Sequence, residues 1–330
     1  MSTALITLAL KTLACSQKEL AKRVGVSPTQ ISKWKNGEYM SADMQDVLGK
    51  LTGIGGRTPE FVCMAGSLED AIKWEKLLCF LAQISAEGAE TGYHTDRLEE
   101  ESEAELLHAH TFSVLAEMGV KIPRPFPLEL DFDYEGPDLS EDEAVASIDH
   151  LFEHPYVRII SDIYKSYTNV YGFFSAYVSN LLDELDVYGS EAENIEPELL
   201  ALAAAKLDEV PSLAKNFQTF RRQTLRNYSA WLKLLKEKAF QAGLPLRAEL
   251  MDLVYESHDA VGQEAEAESL GFNDSRLHPD IYMNELLVGM RTIHQVLPAI
   301  LKKLGIDQEF QLDTSEILLG GGNPDPDCHD

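Results

Sequence analysis

The side chains that most suggest chemistry lie at His150-Leu-Phe-Glu153-His154, which matches the HxxEH spacing of an inverted zinc-peptidase site. Such a site needs both histidines on one continuous helix face and a third carboxylate ligand. Pro155 follows at once and ends the helix, so the expected role is a helix terminus where histidines complement the negative end of the dipole. His108 and His110 lie two residues apart on different helix faces, and are read as solvated or partly buried rather than metal-binding. Cys15, Cys63, Cys79 and Cys328 are widely separated with no CxxC pair, which fits reduced thiols and supports neither a zinc nor a redox site. No phosphate-cradling glycine loop, nucleophile elbow or Cys-His-Asp arrangement is evident, and the acidic runs Glu99–Glu105 and Glu264–Glu268 read as solvated helix faces. The sequence therefore predicts no enzyme, no metal and no cofactor.

Cationic chemistry is the alternative, and it is unevenly distributed. The 330 residues carry 55 Asp+Glu against 28 Lys+Arg, a net charge of −27 and a pI near 4.6, so the chain as a whole should repel nucleic acid. Residues 1–54 invert that balance, with 7 basic and 4 acidic side chains, and leave −30 on the remainder. This asymmetry predicts two units with different partners. Within the acidic part, a helix over 212–242 carries Lys215, Arg221, Arg222, Arg226, Lys233, Lys236 and Lys238 against only Glu237. Pairing with the acidic 191–209 segment is the expected reading; a phosphate, nucleic-acid or partner-protein face is the other.

The elements that must position these groups are helices. Ser16, Ser27 and Ser140 each precede a Glu or Gln by three residues, the arrangement that satisfies free backbone N–H groups at a helix start. Apolar spacing predicts helices over 3–14, 17–24, 28–36, 42–52, 67–86, 95–118, 141–153, 155–186, 197–209, 212–242, 246–266 and 279–304, and strand signals are nearly absent. The expected fold class is all-α, a small N-terminal domain at 1–54 followed by a larger acidic helical bundle at 61–319. A glycine- and proline-rich hinge is expected at 55–60, an internal break at 120–139 and a disordered tail at 320–330. The stripe Leu213, Phe217, Phe220, Thr224, Tyr228, Trp231, Leu235 and Ala239 faces inward, and Tyr164, Tyr167, Tyr171 and Trp231 would favour a small-molecule pocket if they converge. No segment has the makings of a secretory signal or a membrane span, and a cytoplasmic location is expected.

The most informative stretch is 16–41, SQKELAKRVGVSPTQISKWKNGEYMS. Leu20, Ala21 and Val24 line one short helix, Ile31 and Trp34 a second, and Val26 packs in the turn between them. Ala21 is small enough for the helices to cross closely, while Gly25 gives the turn its backbone freedom. Gly37 ends the second helix. Ser16, Gln17, Leu20, Ala21, Gly25, Val26, Ser27, Ile31, Ser32, Trp34 and Gly37 fall at the fixed offsets of a known pattern. Residues 3–54 thereby resemble the lambda-repressor-like helix-turn-helix regulators, also called the xenobiotic-response-element (XRE) or Cro type; the remainder resembles no family.

The resemblance implies that helix 28–36 lies in the major groove of double-stranded DNA, with Thr29, Gln30 and Lys33 on its leading face. Gln30 would pair with adenine edges and Lys33 with guanine O6/N7. It assigns Gln17 to phosphate at a helix N-terminus, with Lys18, Lys35 and Asn36 as further backbone contacts that set register. One departure is Lys35, where the family commonly has Glu paired to a basic residue of the first helix. Lys11 cannot pair with it, so Lys35 is expected to add a phosphate contact. A domain of only +3 holds one half-site weakly, and family members usually pair on a pseudo-palindrome, so a homodimer is expected. The expected function is a sequence-specific transcriptional regulator whose C-terminal region dimerises and senses a small-molecule effector. The alternative is an antitoxin or defence-associated protein whose acidic region binds a basic protein partner and whose N-terminal unit autoregulates.

Overall fold

Local capping chemistry sets the first four helices of the computed structural model, which describes residues 2–93, 98, 101–131, 151–185, 199–242, 244, 248–273 and 283–306. Helix α1 (Ser2–Thr12) turns Leu5, Ile6, Leu8 and Ala9 inward. Helix α2 (Gln17–Val24) opens with a reciprocal cap: Ser16 N–H donates to Glu19 Oε2 at 2.8 Å, and Glu19 N–H donates to Ser16 Oγ at 3.3 Å. It ends at Gly25, whose φ of +75° lies in the left-handed region where a side chain is strained. Helix α3 (Pro28–Lys35) follows within two residues. Ser27 Oγ accepts from Gln30 N–H at 3.1 Å, and Pro28 occupies a first-turn position that needs no donor. Helix α4 (Ala42–Thr52) closes the group, and Leu20, Ala21, Ile31, Trp34, Met40 and Leu48 join α1 in a common core.

Within residues 55–60, expected as a hinge, a helix begins. Pro59 is the first residue of α5 (Pro59–Ala65), which packs against α1. Lys11 Nζ donates to Gly66 O just past the end of α5, and Arg57 Nε donates to Glu75 Oε2 at 2.5 Å. Proline breaks a helix only from within; at the first turn it starts one.

Beyond α5 come α6 (Leu68–Glu87), α7 (Glu101–Glu117), α8 (Pro155–Tyr177), α9 (Ser179–Glu184), α10 (Leu199–Ala205), α11 (Phe217–Ala242), α12 (Asp252–Tyr255) and α13 (His258–Ser269). Helix α8 is the hub, packed by α6, α10 and α13 and burying residues on most of its circumference, as its broad apolar face predicts. Its crossing with α13 is close: a Cβ on Gly262 would meet Asn169 Oδ1 at 2.5 Å. No strand occurs among the described residues, and the all-α expectation holds.

Several expected helices are shorter than their periodicity suggests. The helix expected over 155–186 breaks at Val178 (φ −115°), and the one at 212–242 starts only at Phe217. Asn216 N–H is taken instead by Met118 O at 2.9 Å. The 246–266 segment divides into a 3-10 turn at Ala248–Met251, then α12 and α13, because Glu256 is extended and Ser257 Oγ caps a new helix at Ala260 N–H. Of the expected break at 120–139, the described part is an ordered crossover: Arg124 Nε donates to Met64 O, Phe126 N–H donates to Asp70 Oδ1, and the Phe126 ring lies edge-on to Trp74 at 5.0 Å. Residues 132–139, most of helix 141–153 and the tail at 320–330 lie outside the described residues.

Residues 1–245 with 249–278 form one compact unit, and 246–248 with 279–330 form a second. Of the second, the long helix α14 (Met283–Leu304) is described by itself.

Candidate nucleic-acid interface

Two anchors fix the orientation of α3. Ile31 and Trp34, three residues apart, are both buried, and Trp34 Nε1 donates to Tyr39 O at 3.0 Å, which pins the helix to the loop that follows. At about 100° per residue the opposite face is then Thr29, Ser32, Lys33 and Asn36, all exposed. Three of these four are residues the sequence assigned to DNA. Ser32 is the addition: its position in the family pattern marked it as part of the motif, yet the helical rotation alone places it beside Thr29 and Lys33. Gln30 stands apart, half-buried on the flank.

The ammonium of Lys33 lies 3.4 Å from Glu38 Oε2, with both side chains about half exposed. An exposed pair of this kind is worth at most about 1 kcal/mol, so it holds Lys33 in place without preventing exchange for a stronger acceptor. Lys35 is exposed and in no ion pair with a described residue, while Lys11 is engaged at the end of α5 as described. Tyr39 is 85 % exposed in the α3–α4 loop, directly after Lys35, Asn36, Gly37 and Glu38, and presents an unburied ring there.

At the start of α2, Gln17 is half-buried and Lys18 exposed. The Glu19 carboxylate also sits here, accepting the Ser16 N–H and hydroxyl, and those hydrogen bonds hold its pKa below the ordinary glutamate value. Its charge occupies the Ser16 amide at this helix terminus, so the attraction for an anion comes from the remaining N–H groups with the exposed Lys18.

The other constellations resolve into packing. His154 has an extended backbone, stacks on Tyr156 at 5.7 Å and precedes Pro155 of α8, so it does not continue the helical stretch 151–153 as an HxxEH site requires; His150 lies outside the described residues. His108 is only 2 % exposed, against an expected solvated or partly buried ring; it packs on Phe61 and lies 3.4 Å from Cys79 Sγ. Burial, with a smaller contribution from Arg57, pushes its pKa down to about 4. Cys15, Cys63 and Cys79 are in no disulfide. Tyr164 is wholly buried with its hydroxyl 2.8 Å from Thr111 Oγ1, and Tyr167 stacks on Tyr171, so these rings fill core rather than line an opening. His258 Nε2 lies 3.3 Å from Asp208 and Nδ1 lies 3.1 Å from Asp259, and one ligand atom from each of the three residues lies within 4.8 Å of the others.

On the basic face of α11, the contacts among described residues are mostly with backbone and with its own helix. Arg221 donates to the carbonyls of Ala205 and Leu207, capping α10, and lies over the Phe217 ring. Lys233 contacts Glu237 of its own helix. Arg222 and Arg226 are exposed and in no ion pair with a described residue; 191–198 lie outside those residues.

A helix-turn-helix family model matches residues 8–48. Over that span the chain is a helix-turn-helix domain of the lambda-repressor-like (XRE) type, a DNA-binding family, and the C-terminal region matches no family. No curated protein and no solved structure matches the chain. No described helix is long and apolar enough to cross a membrane.

Proposed function

We propose that the protein is a sequence-specific transcriptional regulator that binds a pseudo-palindromic operator as a homodimer, with α3 in the major groove and the helical body serving dimerisation and effector sensing. The observation that carries this reading is the outward stripe Thr29, Ser32, Lys33 and Asn36, held by the buried Ile31 and Trp34 behind it. A hydroxyl and an ammonium on that stripe reach base edges, and Gln30 reaches them from the flank. Gln17, Lys18, Lys35 and Asn36 hold the phosphates on either side and set register. The acidic body lowers non-specific affinity, so binding depends on the contacts of α3 and on two domains acting together.

The test is binding of the full chain to duplex DNA from its own promoter region, compared with the Thr29→Ala, Gln30→Ala and Lys33→Ala variants. Loss of the specific complex with retained weak, salt-sensitive binding supports the assignment; unchanged binding by all three variants contradicts it.

A further inference from the structure

We infer that α14 is the self-association element of the protein, pairing along its length with α14 of a second copy of this chain. This rests on the dimeric reading above and names the surface responsible. Positions 283, 286, 290, 293, 297, 300 and 304 are Met, Leu, Met, Ile, Leu, Ile and Leu, spaced 3-4-3-4-3-4 from the first residue of the helix to the last. Every core position of three heptads is apolar. A period of 3.5 residues keeps one seam facing a partner helix, whereas packing on a globular surface follows the 3.6-residue period of the helix itself.

Among the described seam positions, Met290, Ile293, Ile300 and Leu304 are between 46 % and 65 % exposed, with Val296 beside them at 45 %, and the unit that holds α14 contains no second described α-helix. A 22-residue helix with Pro298 in its interior is not self-sustaining in water, so a length of about 33 Å must be stabilised by covering this face. Pro298 falls beside the seam rather than on it, where its missing N–H does not obstruct a partner.

The seam of α14 is self-complementary and is a place where two copies of this acidic chain can meet. Two molecules of −27 repel one another over most of their surfaces. Helix α14 carries Glu285 against Arg291, Lys302 and Lys303, and of these only Lys303 flanks the seam. The other flanking positions 287, 289, 294, 296 and 301 are Leu, Gly, His, Val and Leu, so like helices meet without burying a carboxylate. Leu at 297 and 304 alternating with Ile at 293 and 300 is a pattern that also admits four strands, so two or four copies satisfy the inference.

The test is the mass of the full chain by light scattering and sedimentation equilibrium, with circular dichroism as the folding control. Wild type is expected at a multiple of the 36.8 kDa chain, and Ile293→Asp/Ile300→Asp at the monomer mass with unchanged binding to a single half-site. The milder Ile293→Ser/Ile300→Ser is expected to weaken association at least 100-fold, and Thr292→Asp/Gln295→Glu, off the seam, to leave it unchanged. A self-associating wild type whose seam variants still associate, or whose off-seam variant dissociates equally, overturns this inference and leaves the dimeric reading standing. A monomeric wild type overturns both.

Discussion

Acid should loosen the junction between α5, α6 and α7, and His108 is the reason. The ring sits among Phe61 of α5 and Cys79 of α6, and burial together with Arg57 pushes its pKa from 6.5 down to about 4. The folded state therefore binds fewer protons than the unfolded one across this interval, so the stability is fully present above about pH 6.5 and is lost as the pH falls toward 4. At 1.36 kcal/mol per pH unit, going from pH 8 to pH 5 costs about 2 kcal/mol from this ring alone. Trp74, whose ring lies 5.5 Å from Phe112 in the same core, reports unfolding by fluorescence. Urea unfolding of wild type and His108→Gln at both pH values should show the wild type losing about 2 kcal/mol more than the variant. Equal pH dependence in the two proteins, or an imidazole that titrates near 6.5 by NMR, would refute the reasoning.

Further outcomes concern the DNA-binding domain. Thr29→Ala and Lys33→Ala should each weaken operator binding by about 1–3 kcal/mol, read as fluorescence anisotropy, while leaving non-specific affinity nearly as it was. Lys18→Ala and Lys35→Ala should instead weaken all duplexes alike and each reduce the slope of log affinity against log salt by about 1. Trp34→Ala removes a buried ring and its hydrogen bond to Tyr39 O, and should cost about 3–5 kcal/mol in the thermal stability of α1–α4 and abolish DNA binding with it.

The helices α2 and α3 were legible because cap, turn and apolar spacing agree within a few residues: Ser16 with Glu19, Gly25, Ser27 with Pro28, then Ile31 and Trp34. Helix α5 was missed because Pro59 is a breaker in one register and a starter in another, and only the contacts to α1 decide between them. The interruptions at Val178 and Glu256 were hidden for a related reason. Both lie in stretches whose apolar period continues; at Glu256 the backbone turns extended and Ser257 caps a new helix. In the candidate interface, Thr29, Lys33 and Asn36 were readable from helical rotation about the two anchors, which equally adds Ser32 and moves Gln30 to the flank. The Lys33–Glu38 pair was not readable, since it depends on the path of the loop after Gly37. The seam of α14 is written in the 3-4 spacing of its apolar residues.

Whether α3 reads sequence in a paired arrangement is decided by selecting duplexes from a random pool with the full-length protein. The expected result is one motif with two-fold symmetry, its half-sites one helical turn or a multiple apart, and loss of that motif with Thr29→Ala/Lys33→Ala. Recovery of no motif above the salt-sensitive background, or the same motif from the variant, would contradict it.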